Sequence, residues 1–352
     1  MELMNYLERA VADRASDLFI VAGAQVSEKA EGHFRPLSEE KVYPPAADEL
    51  ITGIYKLANR SMEHYTAAGD DDFSFAVPGL ARFRVNAYMQ RGSRAAVVRI
   101  VAFSIPDWRS VGIPQGVMDL ADLTHGMVLV TGTAGSGKST TQACIIDRIN
   151  HTREGHIITL EDPIEFLHRD YMSIISQREI AIDTADYLSA LRACLRQAPD
   201  VILLGEMRDH ETIRTAMTAA ETGHLVITTL HTKGTANAID RIVDMFPPEQ
   251  QMQIRVQLSV VLRSVVSQQL IPDVGGGLVP AFELMNVNTA IRSMIRDCKC
   301  HQIDNAIAAG GGEGMIAMDQ SILRLYQDGR ITRETALDYA QNPDLVRRRL
   351  GG

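Results

Sequence analysis

The sequence predicts an α/β protein of two domains, and three observations lead to this fold class. Residues 131–140 read TGTAGSGKST and stand between the apolar run 127–130 and a segment with the pattern of a helix. Beyond them, short apolar runs that suit strands alternate with segments of helical periodicity, as in a βα series. The 352 residues also exceed the length of one ordinary core, so a second, smaller domain is expected.

Residues 131–140 match the phosphate-binding pattern G-x-x-x-x-G-K-[ST] at every constrained position. Glycine permits backbone dihedrals that turn successive N–H groups toward a phosphate, and the following helix points its N-terminus at the same group. We expect Lys138 to reach the β- and γ-phosphates of ATP and the Ser139 hydroxyl to ligate Mg²⁺. The alternative, a glycine-rich turn that binds nothing, is disfavoured because strand, loop and helix follow in the required order. The residues predicted to hold the nucleotide are Gly132, Thr133, Ala134, Gly135, Ser136, Gly137, Lys138, Ser139 and Thr140.

The composition indicates a soluble globular protein and disfavours several functional classes. Hydrophobic residues make up 45% of the chain and charged residues 22%. The formal net charge of −9 argues against a protein whose main task is to bind nucleic acid. The four cysteines form no C-x-x-C pair, so free thiols in a reducing cytosol are expected. No window suits a membrane span or a signal peptide, so we expect any membrane association to go through a partner.

The N-terminal part, residues 1–103, has the pattern of a small domain of helices and strands. On the strand predicted at 81–87, alternation places Arg82, Arg84 and Asn86 on one face, which suits contact with an anion. Arg99 interrupts an apolar run, where a charge is costly without a partner, although a solvated edge arginine is an open alternative. The helices are predicted at 2–13 and 47–58, and the strands at 18–23, 72–77, 81–87 and 95–101.

A linker is predicted between the two domains. Residues 104–116 hold two prolines, two glycines and the only tryptophan of the chain, and they show no helical or strand period. The predicted organisation is therefore a first domain at 1–103, a linker at 104–116 and a second domain at 117–352.

Acidic residues follow two predicted strands of the second domain. The apolar run 156–160 leads into the sequence EDPIE at 161–165, and the run 201–204 leads through one glycine to Glu206. Open α/β sheets place ligands at the carboxyl ends of their strands, and a nucleotide hydrolase uses such an acid to hold Mg²⁺ through water. A buried strand with an incidental surface glutamate is the alternative. His224 and His231 bracket the strand predicted at 225–230, although a single histidine is more often structural.

Periodicity and turn signals predict the remaining elements of the second domain. A hairpin is expected where residues 269–271 and 279–283 flank three successive glycines, and residues 310–314 are expected to be flexible. Helices are predicted at 185–197, 211–222, 251–267, 290–297 and 319–326.

With these residues identified, the sequence resembles the secretion ATPase superfamily and, within it, the type IV pilus retraction motors. The resemblance covers nearly the whole chain and includes AIRSMIRD at 290–297, similar to the AIRNLIRE motif of retraction motors. Extension motors commonly carry a four-cysteine zinc module, which the cysteines here do not supply. The motifs are GTAGSGKST for Walker A, EDPIEF at 161–166 for the Asp box, LLGEMRD at 203–209 for Walker B and TGHLVITTLHT at 222–232 for the His box.

The resemblance implies a PAS-like N-terminal domain, a RecA-like P-loop ATPase domain and a ring of six subunits. It implies ATP and Mg²⁺ as ligands, with Arg84 and Arg99 in contact with phosphates. Glu165 matches the candidate general base, Glu206 the Walker B acid, and His231 and His224 the His-box pair. The implied partners are a pilus platform protein of the inner membrane and an accessory motor ATPase, with no nucleic acid. The implied location is the cytoplasm, at the inner membrane through a partner and without insertion.

Three departures from the family patterns qualify the assignment. The early motif SDLHL is SDLFI at 16–20, which lacks the histidine, and Thr133 replaces the usual proline of the Walker A loop. AIRSMIRD differs from the family motif at three of eight positions. A pilus extension motor, a type II secretion or conjugation ATPase, and a slow accessory nucleotide-binding ring are therefore alternatives to a retraction motor.

Overall fold

The structure is a computed structural model, and it describes residues 2–30, 32–101 and 105–351. The chain divides into two compact units, one of Met1–Ser104 with Glu165–Leu167 and one of Ile105–Ile164 with His168–Gly352. Each unit contains its own sheet, so the predicted α/β class is confirmed. The predicted end of the first domain at residue 103 and the predicted start of the linker at residue 104 lie outside the described residues.

The first unit contains a six-stranded antiparallel sheet. Its elements are α1 (Glu2–Ala12), β1 (Asp17–Val21), β2 (Gln25–Ala30), β3 (His33–Lys41), α2 (Pro44–Leu57), α3 (Glu63–Ala68), β4 (Asp70–Val77), β5 (Ala81–Gln90) and β6 (Ser93–Val101). The strand order is β3-β2-β1-β6-β5-β4, and α2 packs against β1 and β6. On β5, Phe83 and Val85 are fully buried while Asn86 is exposed, which confirms the predicted alternation.

The hairpin of β2 and β3 lies in a stretch for which the sequence predicted no strand. Most residues of β3 are exposed, since this strand forms an edge of the sheet. An exposed edge strand has no apolar face, so it lacks the alternation on which strand prediction depends.

The second unit contains a seven-stranded sheet with helices around it. Its strands are β7 (Gly126–Thr131), β8 (Gly155–Glu161), β9 (Ser173–Glu179), β10 (Val201–Leu204), β11 (Leu225–Leu230), β12 (Leu262–Pro272) and β13 (Leu278–Asn286). Its helices are α4 (Gln115–Met118), α5 (Lys138–Thr152), α6 (Tyr187–Cys194), α7 (His210–Glu221), α8 (Thr235–Asp244), α9 (Pro248–Val261), α10 (Thr289–Arg296), α11 (Ile303–Ala309), α12 (Met318–Gln327), α13 (Arg333–Tyr339) and α14 (Pro343–Arg349).

The order of this sheet is β13-β12-β7-β11-β10-β8-β9, and only β13 pairs antiparallel with its neighbour. Every residue of β7, β10 and β11 is buried, as expected for parallel strands covered on both faces. Because Thr131 pairs with Leu230 and Leu204 with Thr228, the strands β7, β11 and β10 end at one edge. The predicted loop at 132–140, Glu206 and His231 follow these strand ends.

Two of the segments predicted in the C-terminal part of this unit differ in the structure. The helix predicted at 251–267 ends at Val261, and residues from Leu262 onward form β12 instead. The residues predicted as flexible at 310–314 include a short 3₁₀ helix, Gly310–Glu313. The glycine hairpin was predicted correctly, since β12 and β13 pair on either side of residues 275–277.

The segment predicted as a linker packs within the second unit from Ile105 onward. Ile113 is buried, and Ile105, Trp108 and Val111 pack against the cluster formed by residues of β7 and α5. Across the residues that the structure describes, none of the helices combines the length and apolar character needed to span a bilayer.

Candidate nucleotide-binding site

The loop at residues 132–137 joins the end of β7 to the start of α5. Gly132 has a φ of 147° and Gly137 a φ of 87°, in the region that favours glycine. A Cβ atom on Gly132 would lie 2.4 Å from the main-chain oxygen of Gln268, and one on Gly137 would lie 2.8 Å from Gln268 Nε2. Both positions therefore require glycine for steric as well as torsional reasons.

Lys138 opens helix α5 and is only 7% exposed. Its Nζ atom donates to the main-chain oxygens of Gly132 at 3.0 Å and Thr133 at 2.8 Å. The buried Ser136 hydroxyl has no hydrogen-bond partner among the described residues. A buried cation and a buried hydroxyl beside a helix N-terminus suit the oxygens of a phosphate group, so these residues fit a nucleotide. The other predicted loop residues are exposed at Thr133, Ala134 and Gly135 and half-buried at Ser139 and Thr140.

Gln268 supports this loop, and the sequence reasoning missed it. It lies on β12 next to β7, is 4% exposed, and its Oε1 accepts a hydrogen bond from Thr141 Oγ1 at 2.7 Å. Its main-chain oxygen is the atom that lies nearest to a Cβ placed on Gly132, and its Nε2 is the atom that lies nearest to a Cβ placed on Gly137. The sequence gives little signal for this role, because Gln268 stands between Ser267 and Gln269 as one of three successive polar residues and its partner is 127 residues away.

Glu206 and His231 lie together at the edge where β10 and β11 end. The Glu206 side chain is 13% exposed, and its Oε2 lies 3.2 Å from His231 Nε2. Its other oxygen forms an ion pair with Arg208, which sequence reasoning did not assign. Thr229, one strand position earlier than Leu230, donates to the main-chain oxygen of Gly205 at 2.5 Å. The structure thus brings two predicted residues into direct contact.

A pocket of about 300 Å³ opens at this edge. Its lining includes one carboxylate, that of Glu206, the guanidinium groups of Arg208 and Arg241, and the imidazole of His231. Positive groups around a single acid make the pocket suited to an anion. The pocket and the loop follow strands that end at the same edge of one sheet.

His224 lies at the opposite end of the strand from His231. Its main-chain oxygen accepts from Gly126, the first residue of β7, and its Nδ1 lies 3.0 Å from the main-chain oxygen of Ala219. The six residues of β11 separate the two histidines, which is roughly 20 Å along a strand. Within this unit His224 therefore does not join the loop, and its catalytic role stays a prediction.

Glu165 is exposed in the segment between β8 and β9. By contacts it is grouped with the first unit, whereas Ile164 before it and His168 after it belong to the second. Ile164 is buried, so the chain is anchored immediately before the exposed carboxylate.

Arg84 and Arg99 are cross-strand partners in the sheet of the first unit. Arg99 Nε lies 2.9 Å from Asp17 Oδ1 on the neighbouring strand β1, and its side chain is 65% exposed. The Arg99 guanidinium, which interrupts an apolar run, therefore has Asp17 as an ionic partner and is also accessible to solvent. Arg99 therefore stands beside Arg84 on the face that also carries Arg82 and Asn86, and contact of this face with an anion stays a prediction.

Burial lowers the pKa of His168 to about 4, and its Nδ1 has no hydrogen-bond partner among the described residues. Below pH 6.5 the unfolded chain binds a proton at this imidazole that the folded chain does not bind, so stability falls as the pH falls toward 4. We expect this group to lower the free energy of unfolding by about 2 kcal/mol between pH 7 and pH 5. Urea unfolding at the two pH values measures the difference.

The variant His168→Gln is expected to lose that part of the pH dependence. Its control is His33→Gln, which changes an exposed histidine of the first unit and should keep the full difference. Equal pH dependence in the two variants would show that His168 does not cause the effect.

Comparisons with known proteins agree with this geometry. The family model described as "Type II/IV secretion system protein" matches residues 1–342. The type IV pilus retraction ATPase PilT of Pseudomonas aeruginosa is 42% identical over 346 residues, which cover 98% of this chain and 99% of that protein. The type IV pilus ATPase PilU of the same organism is 35% identical, over 99% of this chain and 91% of that protein.

The solved structures include a crystal structure of the pilus retraction motor PilT with bound ADP. It superimposes with a TM-score of 0.89 at 42% identity, and the match covers 97% of this chain and 98% of that chain. The family match spans both units and every motif described above. This chain therefore belongs to the family of type II/IV secretion system proteins.

Proposed function

We propose that this protein is a motor ATPase that hydrolyses ATP to power the retraction of type IV pili. The observation that carries the proposal is similarity to a retraction ATPase over nearly the full length of both chains. The loop that requires glycine at 132 and 137, with a buried lysine at its end, supports the nucleotide-binding part of the proposal.

In this proposal the loop and α5 hold the phosphates of ATP. Main-chain N–H groups of residues 132–140 and the Lys138 ammonium face phosphate oxygens, so Lys138 exchanges its two loop carbonyls for a charged partner. Ser139 and, through water, Glu206 hold Mg²⁺, since hydroxyl and carboxylate oxygens are the ligands this ion prefers. The ion supplies charge neutralisation at the phosphates when it is bound.

The remaining residues orient water and balance charge. Glu165 accepts a proton from the attacking water, while His231 holds the carboxylate of Glu206 in place. Arg84 and Arg99 contribute positive charge at the phosphates, and Asp17 orients the guanidinium of Arg99 through Nε. His224, at the other end of β11, is proposed for the His-box pair on the family resemblance alone.

The proposed assembly is a homo-hexamer that acts on a pilus platform protein of the inner membrane, alongside an accessory motor ATPase. The protein works in the cytoplasm and reaches the membrane through the platform protein. Nucleic acid is not among the proposed partners, because the chain carries a formal net charge of −9.

Deleting the gene is expected to leave more surface pili and to abolish twitching motility, because a retraction motor removes pili that another motor extends. Counting pili by electron microscopy and measuring twitching zones test this expectation. A plasmid with the wild-type gene should return the number of pili and the twitching zones to their wild-type values. A plasmid with the Lys138→Ala gene should change neither from the values of the deletion strain.

Three other outcomes would contradict the proposal. Loss of pili in the deletion strain would identify an extension motor, and unchanged pili with a defect in secretion or conjugation would identify a motor of another machine. Tight ATP binding by the purified protein with negligible turnover would identify an accessory ring.

A further inference from the structure

Two side chains of strand β9 hold the segment that carries Glu165. Gln177 Oε1 accepts the main-chain N–H of His168 at 2.9 Å, and Glu179 Oε2 accepts the main-chain N–H of Ile164 at 3.3 Å. Gln177 and Glu179 are two positions apart on one strand, so they lie on the same face. One strand therefore fixes the chain on both sides of residues 165–167.

The orientation of the Gln177 amide is set by a second set of contacts. Its Nε2 donates to Glu161 Oε1 at 3.2 Å, and the same oxygen accepts from Thr159 Oγ1 at 2.7 Å. Because a carboxylate only accepts hydrogen bonds, the amide turns its NH₂ toward Glu161 and its oxygen toward His168. The acceptor for the His168 N–H is thus held in a single orientation.

Glu179 is also held firmly, at the end of its strand. It is 3% exposed, its main-chain N–H donates to Asp183 Oδ2 at 2.8 Å, and its main-chain oxygen accepts from the Asp183 N–H at 2.8 Å. Ile180, the next residue, donates to the main-chain oxygen of Glu161 at 2.8 Å. Burying a carboxylate to this extent costs free energy unless hydrogen-bond donors reach its oxygens. One such donor is the main-chain N–H of Ile164, the residue before Glu165.

We propose that Gln177 and Glu179 are positioning residues for Glu165, an inference that rests on the proposed role of Glu165 as the base. The two anchored residues, Ile164 and His168, are those at which the chain leaves and re-enters the second unit. Because hydrogen bonds hold both Ile164 and His168, they limit the positions that the Glu165 carboxylate can take. A displacement of about 1 Å at a reacting group can lower the rate about a hundredfold, so anchoring of this kind governs turnover more than nucleotide affinity.

The test compares Gln177→Ala, Glu179→Ala and Glu179→Gln in the full-length chain. Both alanine variants should lower kcat for ATP hydrolysis about ten- to a hundredfold and leave KM for ATP within about twofold. Glu179→Gln keeps an oxygen that accepts the Ile164 N–H, so it should retain most of the activity. Amide hydrogen exchange at residues 164–168 should be at least about tenfold faster in the alanine variants than in the wild type.

Ser176→Ala is the matched control, because Ser176 immediately precedes Gln177 on β9 and its hydroxyl contacts His156 Nε2 at 2.9 Å instead of the segment. It should change neither exchange at 164–168 nor kcat. Gln177→Asn, whose shorter amide falls short of His168, replaces Gln177→Ala if the alanine variant does not fold.

Three results separate the possibilities. If the alanine variants show faster exchange but normal kcat, the segment is anchored without effect on Glu165 and the inference is wrong. If Glu179→Gln is as inactive as Glu179→Ala, the charge of Glu179 matters rather than its hydrogen bond, and the positioning role is wrong. A wild-type protein that does not hydrolyse ATP would contradict the proposed function itself, before any variant is compared.

Discussion

Replacing Lys138 with alanine is expected to abolish ATP hydrolysis, with kcat lowered about 10³-fold or more. The ammonium is buried at the base of the loop and has main-chain oxygens of Gly132 and Thr133 as partners. These carbonyls are weaker partners for a cation than the oxygens of a phosphate, so exchange of the carbonyls for a phosphate strengthens the hydrogen bonds of the ammonium. A steady-state assay measures how the loss of the ammonium changes ATP hydrolysis. A fluorescent ATP analogue measures how the same loss changes nucleotide binding.

Lys299→Ala is the control, since Lys299 is an exposed lysine of the same unit beyond α10. It should hydrolyse ATP at the wild-type rate. Size-exclusion chromatography shows whether the Lys138 variant keeps its assembly, as we expect. Hydrolysis at a normal rate by a correctly assembled Lys138→Ala protein would remove the assignment of residues 132–140 as the nucleotide-binding loop.

The edge of the second sheet was predictable because its residues follow buried strands in the sequence. Parallel strands buried on both faces form continuous apolar runs, and in a βα series the carboxyl ends of such strands meet at one edge. From those two facts Glu206 was expected at this edge, whereas His231 was assigned to the site by the family resemblance, and the structure places Glu206 Oε2 3.2 Å from His231 Nε2. Arg208 was not assigned because its pairing with Glu206 depends on how the chain turns after β10.

A different pattern made β12 unpredictable as a strand. Residues 262–267 read LRSVVS and are nearly all buried, since β12 lies between β7 and β13, but they form neither a continuous apolar run nor a strict alternation of polar and apolar residues. Because the helical pattern of α9 runs directly into it, the prediction extended the helix to residue 267. Gln268 was missed for this reason, since its role depends on β12 lying next to β7.

His224 shows the limit of motif reasoning within one unit. The sequence places the two histidines symmetrically around a strand, and the resemblance assigns both to one site. A strand extends its residues in a line, however, so residues that bracket it lie at opposite edges of the sheet. The sequence gives the order of these residues along the chain, while only the structure gives their separation in space.

Glu165→Gln and Glu206→Gln are both expected to lower ATP hydrolysis severely, but through different steps. A general base contributes about 10²- to 10⁴-fold, so Glu165→Gln should lower kcat by that range and leave the affinities for ATP and Mg²⁺ within about twofold. Glu206 is mostly buried between Arg208 and His231, and its proposed task is to hold Mg²⁺ through water. Its glutamine variant should therefore also raise the Mg²⁺ concentration needed for half-maximal activity, by about tenfold. Hydrolysis measured across a Mg²⁺ titration, with nucleotide binding measured separately, distinguishes the two.

Glu211→Gln is the control for both variants, because Glu211 is an exposed glutamate whose partner, Arg192, lies 3.3 Å away in a surface ion pair. Such a pair contributes about 1 kcal/mol or less to stability, so hydrolysis and its Mg²⁺ dependence should not change. A raised Mg²⁺ requirement in Glu165→Gln, with a normal requirement in Glu206→Gln, would reverse the two assignments. Normal turnover in Glu165→Gln would mean that another group accepts the proton, and the arrangement of Glu206 with His231 makes Glu206 the first to examine.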